Sequence, residues 1–351
     1  MFQAVPSLFP IYEKLGGTFV VPRNSTVRAI RSVYKGVSIA GGINLTPFVN
    51  PSYKILEKAD LIITGAPYKN VLRPFHGKKY MVFHGTYAYM GLTEYKRISH
   101  FDLICAIGPR MMDALKAAGA GDKVLVSGYL PFINFPSRDK VNKENFLNLL
   151  HLDKSKKTIA YLPWGDPYGS WNLFARKLIE ETPSSFNLIL RPHPSQGLSM
   201  RFSDLLEFMH IKKLVSRREN TFLDLSTQSL SSIYANVDMI ISDGTSPAEE
   251  SLFYDIPQII IESKRFSRKN VEERLINEGL TNKHINNILR LYSCGDIITP
   301  EVNNFQKILN EAFMKSDKYK SNRNNYFEYV FGDRSLHSQN SFITSLKNFI
   351  N

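Results

Sequence analysis

A run of small polar residues follows the apolar segment Met239 to Ile241 and has the composition of an anion site: Ser242-Asp243-Gly244-Thr245-Ser246. Pro247 comes next and suits the first turn of a helix, where the missing N–H of proline costs nothing. Hydroxyl groups and free backbone N–H groups at the start of a helix attract phosphate. The pattern predicts a phosphate site, with Glu250 on the helix that follows. The structural alternative is that Ser246 only caps this helix and Asp243 only closes a turn.

A second candidate is the histidine of Arg191-Pro192-His193-Pro194, which follows the apolar run Leu188 to Leu190. Two flanking prolines restrict the backbone, so the imidazole of His193 points in a reproducible direction. An imidazole suits a diphosphate oxygen or a leaving group, and Arg191 offers a planar guanidinium for phosphate. The alternative is a loop histidine with a structural role only.

The third candidate is His84-Gly85-Thr86, after the apolar run Tyr80 to Phe83. Gly85 allows close approach of a backbone or a ligand. His84 has the chemistry of a general base that takes the proton of an acceptor hydroxyl, and we expect it to face His193 across a cleft. A lone His-Gly pair is equally compatible with a structural role.

Two further features are less specific. Trp164 and Trp171 suit stacking on a base or sugar, but aromatic residues in such a loop usually pack internally. A basic stretch suits phosphate or polymer, although a solvated basic face explains it too. Its members are Lys264, Arg265, Arg268, Lys269 and Arg274.

Composition narrows the classes of protein. The 351 residues include 44 Lys and Arg against 32 Asp and Glu, a net charge of +12, which favours phosphate-rich partners. Only two cysteines occur, Cys105 and Cys294, which excludes a disulfide framework and a four-cysteine zinc site. The histidines lack metal-ligand spacing, and neither a phosphate-binding loop ending in Gly-Lys-Ser/Thr nor a Gly-x-Gly-x-x-Gly motif occurs, so we expect no cofactor. We expect no nucleic-acid partner, because the basic residues are spread along the chain and no nucleic-acid-binding motif occurs.

No apolar run approaches the roughly 18 residues that span a bilayer, and the first residues do not have the pattern of a signal peptide. We expect a cytoplasmic protein, or one that binds the inner face of the cell membrane as a peripheral protein.

Short apolar runs alternate with helical segments, which predicts an α/β fold with strands buried on both faces. The predicted strands are Thr18 to Pro22, Ser38 to Ala40, Leu61 to Thr64, Tyr80 to Phe83, Leu103 to Ile107, Val124 to Val126, Thr158 to Leu162, Phe186 to Leu190, Met239 to Ile241 and Gln258 to Ile261. Helices are predicted at Ser7 to Leu15, Arg110 to Ala118, Lys143 to Leu150 and Ser341 to Ile350. The strands form two series, which predicts two Rossmann-like domains, 1–145 and 146–351. The last helix is expected to return to the first domain, and ligands to lie at the carboxyl ends of the strands.

The three motifs, in this order, resemble those of the CDP-glycerol glycerophosphotransferase family, which builds teichoic acids and related polymers. The resemblance rests on His84-Gly85-Thr86, on His193-Pro194, and on Ser242-Asp243 followed by Thr245, Ser246 and Glu250. It implies a GT-B architecture with the nucleotide mainly on the second domain. It also implies that His84 is the general base, that His193 binds the donor diphosphate, and that the hydroxyl residues hold phosphate. The implied partners are a CDP-linked polyol donor and a lipid-linked or polymeric hydroxyl acceptor, with an anionic membrane surface as a further expectation.

The sequence departs from this family at two places. Tyr87-Ala88-Tyr89 stands where the family commonly has proline, leucine and lysine, and Gly244 to Pro247 replaces an aromatic residue and further serines. The second motif also resembles those of UDP-N-acetylglucosamine 2-epimerases and of glycosyltransferases that use UDP-sugars. A third hypothesis is a scaffold that binds a nucleotide or polyanion without turnover.

Overall fold

The architecture was analysed in a computed structural model that describes residues 4–21, 24–41, 51–165, 167–193, 196, 202–226 and 228–350. The chain divides into two compact units. Unit 1 comprises Met1–Asn134, Glu278–Leu280 and Glu328–Asn351, and unit 2 comprises Phe135–Asn277 and Thr281–Phe327.

Unit 1 contains two parallel sheets, one of two strands and one of four. The first sheet pairs β1 (Phe19–Val21) with β2 (Ile39–Gly41). The second has the order β3 (Leu61–Thr64), β4 (Lys78–Met81), β5 (Leu103–Ala106) and β6 (Val124–Val126).

Unit 2 is built on one parallel sheet of six strands. Its spatial order is β12 (Asp296–Ile298), β11 (Gln258–Ile261), β10 (Met239–Ser242), β7 (Lys157–Leu162), β8 (Phe186–Leu190) and β9 (Thr221–Leu223). The central strands β7, β8, β10 and β11 are almost entirely buried. Because parallel pairing aligns the strands, their carboxyl ends lie along one edge of the sheet.

Helices cover these sheets. In chain order they are α1 (Val5–Leu15), α2 (Asn24–Val33), α3 (Pro51–Glu57), α4 (Lys69–Leu72), α5 (Leu92–Ile98), α6 (Pro109–Ala117), α7 (Lys143–Leu149), α8 (Trp171–Glu181), α9 (Phe202–Arg217), α10 (Ser231–Asn236), α11 (Ser246–Ser251), α12 (Arg268–Asn277), α13 (Asn282–Leu289), α14 (Phe305–Met314), α15 (Lys320–Phe331) and α16 (Gln339–Ile350). Each unit has its own apolar core: α16 packs Phe342 and Leu346 against the strands of unit 1, and α8 packs Phe174 against the sheet of unit 2. Within the described ranges, no helix combines the length and apolar character needed to cross a bilayer.

The predicted α/β class with parallel sheets in two Rossmann-like units is confirmed. The predicted strands occur, with ends shifted by a residue or two, and Pro22 lies outside the described residues. The run predicted at Tyr80 to Phe83 forms a strand at Lys78–Met81, so His84 follows after a short extension in which Val82 N donates to Thr64 O at 2.9 Å.

The division between the units falls after Asn134, eleven residues before residue 145, the predicted end of the first domain. Two contacts place the intervening segment in unit 2. The Phe135 ring stacks on Tyr254 at 5.6 Å, and the Arg138 guanidinium donates to the carbonyl oxygen of Val237 at 2.9 Å.

Candidate functional site

The polar run after β10 forms a turn at the carboxyl edge of the unit 2 sheet. Ser242 ends β10, where it pairs with Leu162 of β7 on one side and with Ile260 of β11 on the other. Ser242 is fully buried, and among the described residues its Oγ and the Oγ1 of Thr245 have no hydrogen-bond partner. Buried hydroxyl groups normally have partners, so this turn holds hydrogen-bonding capacity that the described protein groups do not use.

Gly244 turns the chain in the left-handed region, with φ +67. A Cβ atom there would lie 3.2 Å from Cγ2 of Ile260 and 3.7 Å from the Oη of Tyr292. Tyr292 is a residue that the sequence analysis missed, since it follows α13, far along the chain. Its hydroxyl is buried, has no partner in the described part of the protein, and therefore adds a third unused donor beside the turn. Burial raises the pKa of Tyr292, so this hydroxyl keeps its proton.

Asp243 faces inward and ties the turn to the loop after β7. Its Oδ2 accepts hydrogen bonds from the backbone N–H of Trp164 at 2.6 Å and of Ser170 at 3.1 Å. Desolvation by burial raises the pKa of the Asp243 carboxyl to about 6, although both hydrogen bonds favour the charged form. Asp243 thus positions the loop. A pKa shifted by burial is common for ionisable groups at functional sites.

This pKa predicts a pH-dependent stability. A carboxyl whose pKa is raised in the folded state contributes stability below the unfolded value of 3.8, and loses it as the pH rises through about 6. The cost at neutral pH is about 3 kcal/mol, at 1.4 kcal/mol per pKa unit. Urea titrations should show wild-type stability falling over this range, and Asp243→Asn should flatten the fall. The exposed Asp317→Asn is the matched control, and an unchanged profile in Asp243→Asn would contradict the prediction.

Arg191 and His193 follow β8, two strands from the turn. The Arg191 Nη1 forms an ion pair with Asp224 at 3.0 Å, and its Nη2 donates to the carbonyl oxygen of Gln228. These bonds fix the guanidinium against the end of β9. His193 is half-buried, and desolvation lowers the pKa of its imidazole, which favours the neutral ring at neutral pH. Pro194 lies outside the described residues.

Glu250 lies one turn into α11, as the sequence predicted for its helix. Its Oε2 accepts a hydrogen bond from the Tyr234 hydroxyl at 3.0 Å, so the carboxylate is held in one orientation. The neighbouring Glu249 is fully buried, and its Oε1 accepts from the Tyr326 hydroxyl at 2.9 Å. Tyr234 and Tyr326 are the groups that position the two acidic residues, and neither was foreseen.

In unit 1, His84 is oriented by one strong contact. Its Nδ1 lies 2.8 Å from the carbonyl oxygen of Gly65, which follows β3. Because a carbonyl only accepts, Nδ1 carries the proton and Nε2 keeps its lone pair. Desolvation lowers the pKa of His84, which also favours the neutral ring. The imidazole is therefore set up to accept a proton at Nε2, as a general base must.

The segment Gly85–Thr86 is held in place by a buried arginine. Thr86 is buried, and its carbonyl oxygen accepts from the Arg110 Nη2 at 2.8 Å. Arg110 is itself buried at the start of α6. The sequence placed Arg110 only in a helix, and its role in holding the segment after His84 appears in the structure alone.

Tyr87 stands where the resembling family has proline, and its backbone has φ 47. Proline is locked near −65°, so it cannot adopt this conformation. The Tyr87 hydroxyl lies 3.3 Å from Nδ1 and 3.5 Å from Nε2 of His84. Since the Nδ1 proton is bonded to Gly65, the hydroxyl can donate only to Nε2, in a long hydrogen bond that an acceptor hydroxyl must displace before Nε2 takes its proton. Burial raises the pKa of Tyr87 to about 12, so the hydroxyl stays protonated.

Removing this hydroxyl should make His84 more basic. A hydrogen bond to the neutral ring lowers its pKa, and one such bond is worth about 0.5–1.5 kcal/mol. Tyr87→Phe should therefore raise the pKa of His84 by roughly half to one unit, which an NMR titration of the ring C–H signals measures. Tyr95→Phe is the control, because Tyr95 is a half-buried tyrosine of the same unit whose hydroxyl donates to the Gly119 carbonyl oxygen. A lowered or unchanged pKa would show that Tyr87 does not donate to His84.

Solved structures resemble the chain in fold. No protein-family model matches the sequence, and no curated protein matches it. The wall teichoic acid polymerase TagF has a TM-score of 0.60 and 16% identity, over 99% of this chain and 94% of that chain. TagF was also solved after soaking with CDPG. Anabaena HepE in complex with UDP-glucose has a TM-score of 0.57 and 12% identity, over 99% of this chain and 94% of that chain. The chain has the GT-B class of α/β fold.

Within the described residues, no group of three or more His, Cys, Asp or Glu side chains is arranged to hold a metal ion. Both cysteines are buried, and burial raises the pKa of each thiol to about 12.

Proposed function

We propose that the protein transfers a polyol phosphate, such as glycerol phosphate, from a CDP-linked donor to a hydroxyl acceptor in the synthesis of a cell-surface polymer. The observation that carries the proposal is the hydrogen bond between His84 Nδ1 and Gly65 O, which leaves Nε2 as the proton acceptor. The likeness of fold to TagF, which was soaked with CDPG, supports the choice of donor.

In the proposed reaction, the acceptor hydroxyl attacks the phosphorus atom that bears the polyol. His84 takes the hydroxyl proton at Nε2, a phosphodiester bond forms, and the bond between this phosphorus and the oxygen of CMP breaks. CMP leaves with the electron pair and a growing negative charge. Donors fixed before the reaction stabilise such a charge most effectively.

The donor-side groups are assigned to unit 2. Ser242, Thr245 and Ser246 supply hydroxyl and N–H donors for phosphate, and the neutral imidazole of His193 supplies an N–H for the diphosphate. The unused hydroxyls of Ser242 and Thr245 support this assignment. Gly244 allows close approach, and Asp243 and Glu250 hold the surrounding segments in place. Arg191 precedes His193 by two residues, and its charge is balanced by the ion pair with Asp224.

The acceptor we propose is lipid-linked or polymeric, and the place of action is the cytoplasmic side of the cell membrane. An anionic membrane surface is a further proposed partner, consistent with the net charge of +12. We assign no cofactor, because the proposed reaction needs only a base and fixed hydrogen-bond donors.

A second candidate function is transfer of a sugar from a UDP-sugar, favoured by the likeness of fold to Anabaena HepE with UDP-glucose. A panel of CDP-glycerol, CDP-ribitol and UDP-sugars, assayed for release of CMP or UDP with a lipid-linked acceptor, separates the two functions. Release of UDP alone would overturn the CDP-polyol assignment. Nucleotide binding without any release would identify a non-catalytic binder.

A further inference from the structure

The loop between β7 and α8 presents an aromatic ring to solvent at the same sheet edge as the phosphate turn. The Trp164 ring stacks on Tyr168, with centroids 5.2 Å apart and planes at 22°. Its other contact is an edge packing on Phe266 at 5.0 Å. The Tyr168 residue is 45% exposed. Trp164 therefore stacks on one face of the Tyr168 ring, and nearly half of this residue stays open to solvent.

This loop is held in shape by its backbone. The N–H groups of Tyr168 and Gly169 both donate to the carbonyl oxygen of Gly165, at 3.3 and 3.1 Å. A Cβ atom at Gly169 would lie 1.9 Å from the carbonyl oxygen of Trp164, so only glycine fits this closure. The Trp164 N–H is bound by Asp243, as described above. The Tyr168 ring is therefore preorganised for contact with a ligand.

Two cations lie on a tight turn that follows β11 and contacts the loop of Tyr168. Ser263 and Phe266 exchange backbone hydrogen bonds at 2.8 and 3.1 Å, and the Oγ of Ser263 accepts from the N–H of Arg265 at 3.3 Å. The turn exposes Lys264 and Arg265, and the Arg265 Nη1 donates to the carbonyl oxygen of Pro167 at 3.3 Å. The cationic turn is thus tied to the loop that carries Tyr168.

Among the described residues, neither Lys264 nor Arg265 forms an ion pair with a carboxylate. The nearest acidic residue in sequence, Glu262, is engaged elsewhere, since its Oε1 accepts from the N–H of Arg268 at 2.6 Å. Arg268 and Lys269 follow on α12, where Lys269 Nζ lies 3.9 Å from Oε1 of Glu273. A cationic turn tied to a loop with a half-exposed tyrosine suits an anionic ligand that also has an apolar face.

We propose that Tyr168, Lys264 and Arg265 form a subsite for a phosphate-bearing carbohydrate chain. The C–H face of a sugar ring rests on Tyr168, and phosphate binds the two cations. Naming this chain as the acceptor polymer rests on the proposed function; the binding itself does not. A membrane is the weaker occupant, because one aromatic ring among charged groups offers little apolar area for the lipid boundary.

Equilibrium binding without donor tests the subsite. The probes are phosphorylated maltohexaose, unmodified maltohexaose, inorganic tripolyphosphate and phosphatidylglycerol vesicles. Phosphorylated maltohexaose should bind most tightly, and its binding should weaken as salt rises, because exposed charges are screened beyond about 8 Å. Trp164 and Trp171 are the only tryptophans, and Trp171 is buried against Tyr161, so a fluorescence change on binding reports on Trp164.

The variants test separately how much the aromatic ring and the positive charges contribute to binding. Tyr168→Ala should weaken binding of the phosphorylated sugar by about two- to tenfold, whereas Tyr168→Phe should bind like the wild type. Lys264→Gln and Arg265→Gln should each weaken it by a similar factor, and the exposed Lys283→Gln should not. If tripolyphosphate binds as tightly as phosphorylated maltohexaose, and Tyr168→Ala binds both like the wild type, the proposal is overturned in favour of a nonspecific basic surface. Preferred binding to vesicles would overturn it in favour of a membrane contact.

This result and the proposed function can fail separately. Loss of polymer binding in Tyr168→Ala, together with no release of CMP or UDP from any donor, would keep the subsite and reject the transferase. If Tyr168→Ala turns over CDP-glycerol and binds the polymer like the wild type, the transferase is kept and the subsite is rejected.

Discussion

Replacing His84 by alanine should slow CMP release from a CDP-linked polyol by about 10²–10⁴-fold, the usual contribution of a positioned general base. The acceptor hydroxyl is a poor nucleophile until its proton is removed. Nε2 of His84 is the atom assigned to this task, because Nδ1 is bonded to Gly65. The measurement is the steady-state release of CMP from CDP-glycerol and CDP-ribitol with a lipid-linked acceptor.

The loss should fall on kcat, while donor affinity stays unchanged, because the donor groups are assigned to unit 2. His76→Ala is the matched control, since His76 is an exposed histidine of the same unit. The pH profile adds a second test. The pKa of His84 is lowered, so wild-type activity should rise with pH through a value below 6.5, and this limb should vanish in the variant. Full activity of His84→Ala would remove this residue from the mechanism and leave the fold assignment intact.

The parts of the fold that the sequence predicted are those set by local chemistry. The strands β3, β5, β8 and β11 were predicted because each is a mostly apolar run, as burial on both faces requires. The strands β9 and β12 were missed. Each has only three residues at an outer position of its sheet, and β9 is half-buried throughout, so neither has a long apolar pattern.

The residues of the candidate site also fall into two groups, those that a local sequence pattern indicates and those that it does not. The residue types after the strands indicated His84, His193 and the Ser242 turn, because parallel sheets place ligands at that edge. The groups that orient them could not be predicted from the sequence. Gly65, Arg110 and Tyr292 reach the site through packing between segments far apart in the chain, and no local pattern records such pairing. The inward orientation of Asp243 was missed for the same reason, since its partners Trp164 and Ser170 belong to another loop.

The departure at Tyr87 shows what a motif comparison leaves out. A match of His-Gly-Thr compares side chains, whereas φ 47 at Tyr87 is a backbone property that proline cannot share. The chain after Thr86 therefore takes a path that proline at this position would not allow. The Tyr87 hydroxyl then lies 3.3 Å from Nδ1 and 3.5 Å from Nε2 of the proposed base.

Replacing His193 by alanine should lower kcat by about 10²–10³-fold, the cost of removing one fixed donor from a developing negative charge. Donor affinity should weaken as well, by roughly 0.5–3 kcal/mol for one lost hydrogen bond, because the diphosphate is bound before the bond breaks. Donor affinity is measured by titration with CDP-glycerol and turnover by CMP release. His210→Ala, an exposed change on α9 of the same unit, is the control. The pattern across the two histidine variants is decisive: His84→Ala should keep donor affinity and lose turnover, whereas His193→Ala should lose both. If His193→Ala binds and turns over the donor like the wild type, the diphosphate is held by other groups, and the hydroxyls of Ser242 and Thr245 become the residues to test.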